Sequence, residues 1–131
     1  MGIADDNNLF AAFKFYKKAI QLGIKPIIGA TVSVCPDASE RISKLILLCK
    51  NTTGYKNLST LITRSYLEGY REGKPLIDIE WLDSLSTLGL VAISGGYRGF
   101  IQNLLLSKKS DTAGHQPEKL KDIFAEACRE Y

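Results

Sequence analysis

A chain of 131 residues that is 45% apolar and 24% charged is sized for one globular domain, and that balance excludes general disorder. Its net charge of +3 is too mild to demand a nucleic-acid partner, its longest apolar runs, such as Leu45 to Cys49, are far short of a membrane span, and no charged leader with an apolar run opens it. Three cysteines without CxxC spacing (Cys35, Cys49, Cys128) read as reduced, mostly buried residues of an intracellular, cytoplasmic protein.

Met1 to Ala4 is a short apolar run leading into Asp5-Asp6-Asn7-Asn8, a strand end followed by turn and capping residues. Asn8 is the expected N-cap of a helix through about Leu22, in which Leu9, Phe13, Tyr16 and Ile20 draw one buried stripe at helical period. Gly23 falls where a left-handed C-cap residue belongs. The β-branched run after Pro26 predicts a strand from about Ile27 to Val34, with the proline tolerated only at its start. Lys44 to Cys49 is a second, nearly continuous apolar strand, as expected when both faces are covered.

Asn51-Thr52-Thr53-Gly54 caps a helix through about Glu68, with Leu58, Leu61, Ile62 and Ser65 inward. Gly69 to Pro75 reads as a polar loop, and Ile79 to Leu85 as a short helix carrying Trp81. Gly89 introduces the strand Leu90–Ser94, and Gly95-Gly96 turns into a helix containing Phe100, Ile101, Leu104 and Leu105. Residues 107–116 form the linker candidate, and Pro117 starts a last amphipathic helix marked by Leu120, Ile123, Phe124 and Ala127. Alternating strands and helices give an α/β domain with mostly parallel pairing. The abrupt strand at the start and the helical register at Tyr131 predict a piece of something larger, with open sheet edges.

From Asn8 to Val34 and from Leu45 to Tyr70 the sequence resembles the PHP (polymerase and histidinol phosphatase) domain of bacterial DNA polymerase III alpha subunits. The strings that carry the resemblance are Asn8-Leu9-Phe10, Phe15-Tyr16-Lys17-Lys18-Ala19, Gly23-Ile24-Lys25-Pro26-Ile27-Ile28-Gly29, Leu47 through Leu58, and Ser65-Tyr66-Leu67-Glu68-Gly69-Tyr70; Ile77-Asp78 and Gly89 to Gly99 follow. It is clear over 1–106 and loose beyond. The resemblance implies a single partial domain over 1–131, an incomplete piece of a distorted seven-stranded (β/α) barrel with flanking helices, whose His-x-His strand lies upstream of Met1.

Active PHP domains gather His, Asp, Glu and sometimes Cys ligands round metal ions that acidify a water for phosphoester hydrolysis. Carried onto this chain, the pattern keeps an aspartate at Asp5, but Asp6 stands at a histidine position. Thr31 replaces a glutamate, Lys44 a histidine, and Gly96 a cysteine. A hydroxyl, an ammonium and a bare glycine predict a degenerate metal site that holds no ion. His115, in the linker, reads as a solvated histidine.

Other features have milder readings. Gly95-Gly96-Tyr97-Arg98-Gly99 lacks both phosphate-loop spacings and reads as a tight turn, with Arg98 a weak anion contact. Lys14, Lys17, Lys18 and Gln21, opposite the aromatic stripe, read as a solvated face or a DNA-contacting one. Tyr66, Tyr70 and Arg71 are candidates for a partner surface.

The resemblance then implies a structural and protein-docking module of a replicative polymerase, with no activity of its own and no cofactor. The implied parent is a DNA-directed DNA polymerase (a nucleotidyltransferase) that uses Mg²⁺ and meets DNA elsewhere in its chain. The implied partners are the other domains of the alpha subunit and the separate proofreading exonuclease subunit. The rival reading is a metal-dependent phosphoesterase or proofreading-type nuclease.

Overall fold

The computed structural model describes residues 1–35, 42–83 and 85–94. Its elements in order are β1 (Gly2–Asp6), α1 (Ala12–Gln21), β2 (Ile27–Cys35), β3 (Ser43–Cys49) and α2 (Thr52–Leu67), followed by the two-residue strands β4 (Tyr70–Arg71), β5 (Lys74–Pro75) and β6 (Ile77–Asp78). A 3₁₀ turn (Ile79–Trp81) and β7 (Leu90–Ser94) complete the described chain. The main sheet runs β1-β2-β3-β7, and β6 joins β2 beyond the end of β1. The linker and last helix expected at 107–116 and 117–131, and the turn at Gly95-Gly96 with its helix, lie outside the described residues.

The sheet is mixed, which corrects the expectation of mostly parallel strands. β1 and β6 run parallel to β2, whereas β2–β3 and β3–β7 are antiparallel. The reason is visible in the spacing. Only residues 36–42 separate β2 from β3, and a parallel crossover needs a dozen or more residues.

Strand alternation sorts the side chains onto two faces. One carries Ile28, Ala30, Val32 and Val34 of β2 beside Leu45, Leu47 and Cys49 of β3. Both helices lie on this side. Ala30, Val32, Val34, Leu45 and Leu47 form the core with Leu58 and Leu61 of α2 and with Ile77, Ile79, Leu82 and Leu90, and Cys49 packs at its edge. The other face carries Ile27, Thr31, Ser33, Lys44, Ile46, Leu48, Val91 and Ile93, and apolar groups on it stay partly in solvent, Ile27 being 41% and Ile93 45% exposed. Continuous apolar strands therefore have only one fully covered face here.

α2 starts as expected, with Asn51 Oδ1 accepting the Gly54 amide at 2.9 Å, and its inner side is Leu58, Leu61 and Ser65, with Ile62 half-buried. α1 departs from expectation twice. Its N-cap is Ala11, which makes no side-chain cap bond, while Asn8 Oδ1 accepts the Phe10 amide one turn earlier. Its buried residues are Ala12 and Ala19, whereas Phe13, Tyr16 and Ile20 are 76%, 51% and 54% exposed. Two methyl side chains spaced by two turns let the backbone lie close to the sheet, and the ring-bearing stripe is turned about a quarter-circle away. At the other end Gly23 does adopt φ +68°, and the Ile24 amide donates back to Ala19 O at 2.9 Å, closing the helix.

Two further expectations need correction. The segment from Gly69 to Pro75 is a β4–β5 hairpin with Glu72 and Gly73 at its turn, both at positive φ. The helix expected over Ile79–Leu85 is a single 3₁₀ turn, capped by Asp78 Oδ1 accepting the Glu80 amide.

Candidate functional site at the end of the first strand

β1 and β2 pair in parallel, bringing Asp6 beside Thr31, and β2 and β3 pair antiparallel, bringing Ser33 beside Lys44. Alternation then places Asp6, Thr31, Ser33 and Lys44 on the sheet face away from the helices. Lys44 Nζ lies 2.5 Å from Asp6 Oδ1 in an ion pair whose side chains are 30% and 68% exposed. Asn7, at φ +56°, turns the chain out of β1. Its Nδ2 donates to Ser33 Oγ at 3.2 Å, and its Oδ1 accepts the Ser33 amide at 2.9 Å. Asn8 Nδ2 donates to the Asp6 carbonyl at 2.9 Å.

Three expected site residues thus come together: Asp6, Thr31 and Lys44. Asp5 does not join them. It pairs with Ala30 on the helix side, and its Oδ2 accepts the Ala11 amide at 3.0 Å at the start of α1. Gly96, Arg98 and His115 lie outside the described residues. Asn7 and Ser33 belong to the cluster and were missed in the sequence. Ser33 is two residues after Thr31 and so on the same face, and asparagine at a strand end is a residue type that tolerates left-handed backbone. Among the described residues no three His, Cys, Asp or Glu side chains converge as metal ligands would.

The second candidate surface is also assembled. Tyr66 and Tyr70 stack with ring centroids 6.2 Å apart, and Arg71 follows in β4, opposite Lys74. Nearby, the Arg64 guanidinium sits 4.1 Å over the Trp81 ring and pairs with Glu68 at 2.7 Å. On the helix side of the sheet, burial pushes the Cys49 thiol up to about 11.

The PHP domain family model matches residues 1–129. The chain belongs to the PHP domain family. Over most of its length this PHP domain is also similar to DNA polymerase III subunit alpha of several bacteria. It is 41% identical to that of Vibrio cholerae over 107 residues, 81% of this chain and 9% of the relative. Against Escherichia coli strain K12 the identity is 40% over 111 residues, 84% of this chain and 10% of the relative. For Pseudomonas aeruginosa it is 34% over 127 residues, 96% of this chain and 11% of the relative. The chain spans about a tenth of the length of these relatives. Among the described residues of the PHP domain, no helix is long and apolar enough to cross a membrane.

Proposed function

We propose that this PHP domain is a structural and docking module of a DNA polymerase III alpha chain and that its metal site is degenerate. The observation that carries the reading is the Lys44–Asp6 ion pair. A divalent ion needs several oxygen, nitrogen or sulfur ligands converging on one point. At the strand end a fixed ammonium, which has no lone pair to give, already satisfies the nearest carboxylate. Asp5, the other acidic side chain of β1, is engaged on the opposite face by the α1 amide. This donor set does not suit a metal ion, and no hydrolytic step is assigned to it.

The docking half of the proposal rests on surface that the fold leaves uncovered. The sheet face away from the helices keeps Ile27 and Ile93 nearly half exposed, among the described residues β1 has a partner strand on one side only, and the matched relatives carry about ten times more chain. Further strands of a PHP barrel would cover both features, and this is how we read the domain in its parent. The other domains of the polymerase chain and the proofreading exonuclease subunit are the proposed partners. Nucleotide addition, with its Mg²⁺, belongs in this reading to other parts of the parent.

Metal analysis by mass spectrometry after dialysis against micromolar Zn²⁺ or Mn²⁺, with a phosphoester hydrolysis assay alongside, tests the proposal. The expected result is less than about a tenth of an equivalent of metal and no metal-dependent turnover. One or more equivalents with hydrolysis would establish the phosphoesterase or nuclease reading instead.

A further inference from the structure

We draw no further inference here: the strongest candidate, the apolar groove of about 400 Å³ between α1 and α2 with Leu9, Phe13, Tyr16 and Tyr55 in its lining, carries nothing, because nothing in the structure shows what covers it.

Discussion

Gly54, in the first turn of α2, and Gly89, just before β7, meet backbone to backbone. A Cβ on Gly54 would overlap the Gly89 carbonyl, and one on Gly89 would strike Asn51 Oδ1, the atom that caps α2. Gly89 also sits at φ +76°, and its carbonyl accepts the Lys50 amide at 2.9 Å. The helix start and the strand start are thus locked by two residues without side chains.

Gly54→Ala is expected to destabilise the domain by about 2–3 kcal/mol, through overpacking against rigid backbone. The sign is informative, because helix propensity alone favours alanine by about 1 kcal/mol. Gly89→Ala is expected to cost at least as much, since positive φ adds strain to the clash. Urea denaturation midpoints check both.

The corrected orientation of α1 makes a paired expectation. Ala19 is 5% exposed and Phe13 76%. Ala19→Leu is expected to destabilise by about 1–3 kcal/mol by forcing the helix off the sheet, and Phe13→Ala to change stability by less than about 0.5 kcal/mol. A buried ring stripe would give the reverse order, so thermal melts of the two variants decide between them.

The Lys44–Asp6 pair is open to solvent. A double-mutant cycle with Lys44→Met and Asp6→Asn is expected to return a coupling energy of about 0.2–1 kcal/mol, shrinking at high salt. The pair's part in the proposed function is to occupy the carboxylate, and stability depends on it little.

Cys49 gives a pH expectation. Its thiol is raised to about 11 by burial, so between the ordinary thiol range and pH 11 the folded state binds more protons than the unfolded one. Stability from this group is complete below the ordinary thiol pKa and is lost as pH rises through 11. Cys49→Ala is expected to flatten that part of the stability–pH curve. Peptide-level alkylation at pH 8 is expected to label Cys49 slowly, and faster as the pH approaches 11.

Much of the fold was legible wherever one residue has one local job. Asn51 as a cap, Gly23 at positive φ, and the inward Leu58 and Leu61 all follow from backbone chemistry and helical period. α1 was misread because period reveals that a helix is two-sided without saying which side lies down. Phe13 and Tyr16 have the larger apolar surface, but Ala12 and Ala19 permit the closer approach. The candidate cluster was legible only as residues, among them Asp6, Thr31 and Lys44, which the sheet brings together. It was not legible in partnership, since the contacts of Lys44 with Asp6 and of Asn7 with Ser33 depend on strand register, which no local pattern records.

The alternation of β1 also limits how this surface could evolve. Because neighbouring carboxylates on a strand look in opposite directions, a single mutation that removed the lysine would leave one lone acid among hydroxyls and an amide, well short of a chelating cage. A chelating set on that face would need several replacements on one side of the sheet, because β1 offers it only every second side chain.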